Sequence, residues 1–277
     1  MAGEGERPMP AGTRIRSLAL ELTGRCQLSC AHCYAESSPR GGHGSMTGAD
    51  WREVLDTAAG SGVTAVQFIG GEPTLHPECA SLVEQALASS MQVEVFTNLV
   101  QVSRSWWARY LLPGVSVATS YYTADSAAHD AFTGLAGSHA RTRANIAEAV
   151  RTGVRIRVAV VGSGAVADQA CADLTALGVE KVTVGRFREI GRGSRGNRPT
   201  AAELCGRCAQ ESAAIDPFGN VSPCVMARSI HVGNVRREAV DKILAGPRMA
   251  AISARFAKRN GGSDCPPNPS GPQCYGG

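Results

Sequence analysis

The sequence predicts an α/β protein built on a parallel sheet, followed by a smaller cysteine-rich region. Three observations carry that class. Short aliphatic or β-branched runs alternate six times with amphipathic helical stretches over residues 17–184, the signature of repeated βα units. The notable short motifs fall just after the strands, where chemistry belongs in both open doubly wound sheets and βα barrels. Beyond residue 184 the texture changes: Arg186, Arg188, Arg192, Arg195 and Arg198 alternate with glycines, and a second group of cysteines follows.

Residues 18–22 read as the first strand. Thr47, with Asp50 three positions on, predicts a capped helix over 48–59 that places Trp51, Val54, Leu55 and Ala58 on one face. Strand 65–69 follows, then helix 78–89, strand 93–97, helix 103–110 and, past Pro113-Gly114, strand 115–120. Ser138 is read as the cap of a helix over 140–152 that stops at Gly153 before strand 155–161. Helix 166–177 ends at Gly178 and leads to strand 181–184. The expected division is a flexible segment 1–16, a βα unit 17–184, an Arg/Gly-rich linker 185–198 and a cysteine-rich domain 199–277, with a hairpin around Phe218-Gly219-Asn220 and a short helix over 240–245.

A chain of 277 residues can bury a sizeable core. Its formal charge of +4 is too small an excess to imply a polyanionic partner, and aromatics at 5% give no stacking platform, so no nucleic-acid partner is expected. Residues 1–16 lack the apolar core of a secretory signal, and the longest apolar runs fall far short of the roughly 20 residues that span a bilayer. The expectation is a cytoplasmic protein without a membrane partner. There, ten cysteines point to metal or catalysis rather than disulfides. Cys79 and Cys171 stand alone in helical stretches and read as small buried hydrophobes.

Cys26, Cys30 and Cys33 stand at i, i+4 and i+7 on a strand-end loop, so their thiolates can converge. A closed zinc site wants four protein ligands, whereas three cysteines on a 4Fe-4S cluster leave one iron open to a small chelate. Zinc with His32 or a distant ligand, and buried free thiols, are the alternatives.

The CxxxCxxC run followed by Tyr34, with Gly70-Gly71-Glu72-Pro73 after the next strand, resembles the radical S-adenosylmethionine superfamily. The resemblance implies an incomplete (β/α)6 TIM-like barrel. It also implies that the open iron chelates S-adenosylmethionine, which is cleaved reductively to a 5′-deoxyadenosyl radical that abstracts a hydrogen atom from the substrate. An external donor of flavodoxin or ferredoxin type would supply the electron. Under this reading Gly70 and Gly71 admit close backbone approach, Glu72 offers a carboxylate to an ammonium and Pro73 stiffens the turn. Tyr34 frames the adenine, Ser120 meets the ribose, and Asn98 faces the same cleft. The methionine carboxylate would pair with Arg141 or Arg143. The arginine run 186–198 has three readings: a solvated linker, a contact to S-adenosylmethionine, or a contact to an acidic substrate.

Cys205, Cys208 and Cys224, with Gly233-Asn234-Val235 beyond, resemble the SPASM and shortened twitch extensions of the family. These imply one auxiliary 4Fe-4S cluster, its fourth ligand Cys265 or Cys274; a zinc knuckle is the alternative. Such extensions suggest a precursor-peptide substrate that is crosslinked, oxidised or epimerised. With 25 residues ahead of Cys26, leader recognition is expected to use a separate leader-peptide-binding protein or the barrel's own edge. Oxidation of a small aminocyclitol or sugar, and a non-catalytic metal-binding scaffold, are the other readings.

Overall fold

Residues 15–257 are described by a computed structural model, in which one nine-stranded sheet carries the architecture. Strands β1 (Ser17–Glu21), β2 (Ala65–Ile69), β3 (Gln92–Phe96), β4 (Val115–Tyr121), β5 (Ile156–Val161) and β6 (Lys181–Gly185) lie side by side and parallel. Helices α1 (Gly48–Gly60), α2 (Cys79–Ala88), α3 (Arg104–Tyr110), α4 (Ser126–Thr133), α5 (Ser138–Arg151) and α6 (Gly164–Ala176) fill the crossovers. On the other side of β1 the sheet continues through β7 (Ser212–Ile215), β8 (Asn220–Ser222) and β9 (Gly233–Asn234), and α7 (Val240–Ala245) and α8 (Pro247–Ala257) follow. Among the described residues β6 and β9 are the two edges of the sheet and do not pair with each other. The barrel is therefore incomplete, as the resemblance implied.

The alternation along each strand sorts two cores. Leu18, Leu20, Val66, Phe68, Val93 and Val95 join the helix-facing core with Trp51 and Leu55. Each large side chain buried there contributes about 1.5–3 kcal/mol. Ala19, Ile69, Phe96, Ala118 and Ala214, one from each of five strands, share an inner cluster with Tyr34, Cys208 and Cys224. The sheet also carries a polar knot: Arg157 donates Nε and Nη2 to the two oxygens of Glu94 at 2.7 Å each, and Gln67 donates to Glu94 Oε1 at 2.5 Å. All three residues are buried.

The expected capping box holds: Thr47 Oγ1 accepts from Asp50 N, and the Asp50 carboxylate accepts from Thr47 N. Two features correct the sequence reading. Helix α4, capped by Asp125 and closed by left-handed Gly134, is additional to the helices expected from sequence. Ser138 does not cap α5 but is its first residue; the carboxylate of Asp130, on α4, accepts from Gly137 N and His139 N and from the Ser138 hydroxyl.

Those donors, the His139 amide first, hold the Asp130 pKa at about 2, below its ordinary 3.8. A lowered folded pKa means stability present above the unfolded value and lost as pH falls through the folded one. In metal-free protein, Asp130→Asn is thus expected to flatten the stability loss between pH 3.8 and about 2. Urea melts across that window check it; an unchanged slope would remove Asp130 from the account.

Candidate active site

After β1 the chain leaves the sheet as a loop carrying Cys26, Cys30 and Cys33, and neighbouring segments hold it from several sides. Ser29 N and Ala31 N donate to Thr133 O and Phe132 O at the end of α4, and Cys26 N donates to Ser38 O. The three cysteines line one cavity with Tyr34, Gly70, Gly71, Asn98, Ser120, His129, Thr142 and Arg192. Leu28 N and Asn98 Nδ2 approach Cys26 Sγ at 3.4 and 3.5 Å.

Burial pushes the Cys26 and Cys30 thiols up to about 12, helped by Glu72 at the first and Cys33 at the second. Ionised sulfur here needs a cation, and bound iron would supply it. Among the described residues no three His, Cys, Asp or Glu side chains are grouped tightly enough for a single metal ion. Three cysteines of one loop opening on one cavity fit a polynuclear cluster that spans them.

Gly70 and Gly71 are dictated by the same loop. Gly71 N donates to Thr23 O and Glu72 N to Arg25 O, seating the turn directly on the chain that leads to Cys26. A Cβ on Gly70, whose φ is +126°, would stand 2.6 Å from Thr23 O, and one on Gly71 2.2 Å from Arg25 O. Both obstacles are backbone and cannot swing aside. Gly71→Ala is expected to cost about 2–3 kcal/mol and to lower the iron retained by the protein; denaturant melts and iron content at wild-type levels would refute it.

Glu72 is buried, and its four hydrogen bonds are internal: Oε1 accepts from Thr74 N and Oγ1, Oε2 from Thr97 Oγ1 and Asn98 N. The carboxylate thus knits the ends of β2 and β3 together. Burial raises its pKa against these donors. Pro73 opens a single 3-10 turn, Pro73–Leu75. Asn98 is fixed further by Gln27 and Val100 on its Oδ1 and by Thr142 on its carbonyl. Ser120 stands on β4 near the Tyr122 phenol, which also reaches Cys30.

The arginines are arranged differently from expectation. Arg141 bonds back to Gly137 O and Ala136 O, and Arg143 forks onto Asp173. It is Thr142, between them, that lines the cavity. The arginine on the cavity wall is Arg192, from the 185–198 segment. It donates Nε to Cys30 O at 2.8 Å and Nη2 to Ser37 O at 2.7 Å, and its own N–H to Cys33 O. That segment is docked on the cysteine loop, with Gly191 seated against Cys33 O and Tyr34 O.

Tyr34 lies between the two cysteine groups: Cys33 and Cys224 both act on its phenol, and the Arg228 guanidinium sits 5.8 Å from its ring. Arg228 is paired with buried Glu21 at the end of β1. In the second group Cys208 Sγ and Cys224 Sγ are 3.5 Å apart, with Cys205 on the segment just before Cys208. Cys265 and Cys274 lie outside the described residues. Sequence reasoning missed Arg228 and His129, and gave Arg192 only as one of several arginines.

The Radical SAM superfamily model matches residues 20–170, just over half of the chain. The chain belongs to that superfamily. An iron-sulfur cluster-binding domain model, SPASM, matches residues 205–274 and takes in all five late cysteines. The protein therefore combines iron-sulfur clusters with S-adenosylmethionine. It is 26% identical over 308 aligned positions to the antilisterial bacteriocin subtilosin biosynthesis protein AlbA of Bacillus subtilis, covering 96% of this chain and 67% of that one. It is 32% identical over 126 to the PqqA peptide cyclase of Rhodopseudomonas palustris, covering 45% and only 33%. Among solved structures, Streptococcus suis SuiB bound to S-adenosylmethionine shares the fold at a TM-score of 0.71 and 16% identity, over 87% of this chain and 68% of that one. Among the described residues no helix is long and apolar enough to cross a membrane.

Proposed function

We propose that this radical S-adenosylmethionine enzyme modifies a ribosomally made precursor peptide by crosslinking, oxidising or epimerising a residue. The observation that carries the reading is the match to AlbA, named for bacteriocin biosynthesis, along 96% of the chain and through both cysteine groups. The PqqA peptide cyclase, a peptide-acting relative by name, supports it over 45% of the chain.

When bound, the cluster of Cys26, Cys30 and Cys33 and S-adenosylmethionine supply hydrogen-atom abstraction. The chain's own residues hold that chemistry in place. Arg192 and the α4 end fix the cysteine loop, Gly70 and Gly71 let the β2 turn sit against it, and Thr142 and Asn98 set the wall beside Cys26. The auxiliary cluster would be held by Cys205, Cys208 and Cys224 with Cys265 or Cys274. A flavodoxin or ferredoxin is the proposed electron donor, and a separate leader-binding protein the proposed partner.

The test is anaerobic incubation of the reconstituted chain with S-adenosylmethionine, dithionite and short peptides encoded beside its gene. A peptide that loses two hydrogens, or takes up solvent deuterium at one Cα, is the expected product. If 5′-deoxyadenosine formation answers to sugar alcohols and to no peptide, the peptide reading fails.

A further inference from the structure

We propose that His129 is a binding residue of the cavity, its imidazole hydrogen-bonding the adenosyl half of S-adenosylmethionine. The inference rests on the cosubstrate use established above and goes beyond the cysteine and glycine motifs, none of which contains His129.

His129 lies on α4, is 1% exposed and lines the same cavity as Cys26, Cys30 and Cys33. Its Nδ1 is wholly enclosed and has no hydrogen-bond partner among the described residues. A buried polar nitrogen without a partner is costly, so a native site that keeps one points to a ligand that completes it.

The ring is also walled in against turning to an internal partner. It stands edge-on to Tyr121 and Tyr122, each at 5.2 Å between centroids, and packs against His139 at the same distance. These walls are themselves fixed. The Tyr121 hydroxyl bonds His139 Nε2 and the Asp173 carboxylate at 2.7 Å each, and Arg143 clamps Asp173 with two nitrogens. Arg143, one of the two arginines that the resemblance offers for the methionine carboxylate, thus secures the wall behind His129.

The chemistry selects the ligand half. Burial, then the neighbouring His139, holds the imidazole pKa down to about 4 against the opposing pull of Asp130, so the ring is neutral near pH 7. A neutral imidazole offers one donor and one acceptor. That matches ribose hydroxyls or an adenine edge, whereas the methionine half carries an ammonium and a carboxylate that call for charged partners.

Calorimetric titration of the anaerobic, cluster-reconstituted full chain with S-adenosylhomocysteine and with methylthioadenosine, which lacks the charged amino-acid end, separates the outcomes. His129→Phe should weaken both probes about tenfold by the same factor, with iron content and circular dichroism unchanged. His129→Asn, which keeps a polar atom near Nδ1, should recover part of the loss. Equal affinities in wild type and His129→Phe would overturn the assignment, as would a loss confined to S-adenosylhomocysteine. Should His129→Phe fail to fold, the Asn variant decides: full loss or no loss with methylthioadenosine each refutes a hydrogen bond at Nδ1. Wild type that binds neither probe and yields no 5′-deoxyadenosine from S-adenosylmethionine would instead sink the cosubstrate use itself.

Discussion

Replacing Cys26, Cys30 and Cys33 together by alanine is expected to abolish 5′-deoxyadenosine formation from S-adenosylmethionine and to lower bound iron from about eight to about four per chain. The residual iron would belong to the auxiliary group. The reasoning is geometric: all three thiols come from one loop and open on one cavity, in surroundings so hostile to bare thiolate that Cys26 and Cys30 sit near 12 without a metal. Cys224→Ala should show the reverse pattern, sparing cleavage while removing iron and peptide turnover. Iron assays and 5′-deoxyadenosine yields on the two variants check the pair. Cleavage that survives the triple replacement would contradict the assignment of the first cluster.

The second large effect concerns stability. Arg157→Leu is expected to destabilise by about 3–5 kcal/mol, because it strands the Glu94 carboxylate, which is buried and otherwise reached by Gln67. Fork geometry and the Phe96 ring 5.4 Å from the guanidinium make the pair a unit. Replacing both partners, Glu94→Leu with Arg157→Leu, should recover much of that loss, since the cost lies in the unpaired charge rather than in the absent attraction. Denaturant melts of the single and double variants decide it; a single replacement costing under about 1 kcal/mol would mean the knot is hydrated.

Much of this was legible in the sequence because it is local. The Thr47–Asp50 box, the burial of Trp51, Val54, Leu55 and Ala58, and the positions of all six barrel strands follow from period and capping chemistry within a few residues. The glycine pair was legible too, though for a different physical reason: the backbone they must admit is the protein's own, at Thr23 and Arg25. What stayed hidden depends on segments distant in sequence. Asp130 caps α5 from the preceding helix, so the nearest hydroxyl in sequence, Ser138, is not the cap. Arg192 reaches Cys30 across 162 positions, and no spacing rule connects an arginine-glycine run to a loop so far upstream. Helix α4 is only eight residues long and buries His129 and Thr133 rather than aliphatic side chains, so Asp125 before it and Gly134 after it are its main signals in the sequence.

The pairing of β7 with β1, parallel from Ser17–Ser212 to Leu20–Ile215, bears on how this chain can be cut. The cysteine-rich extension is spliced into the sheet rather than tethered beside it, and its first strand covers the flank of β1 that a bare half-barrel would present to other molecules. A fragment ending at residue 184 would expose that flank as a sticky edge and would aggregate. Exchanging extensions between relatives would succeed only at a junction upstream of Cys205 that carries the β7 strand along with its cysteines.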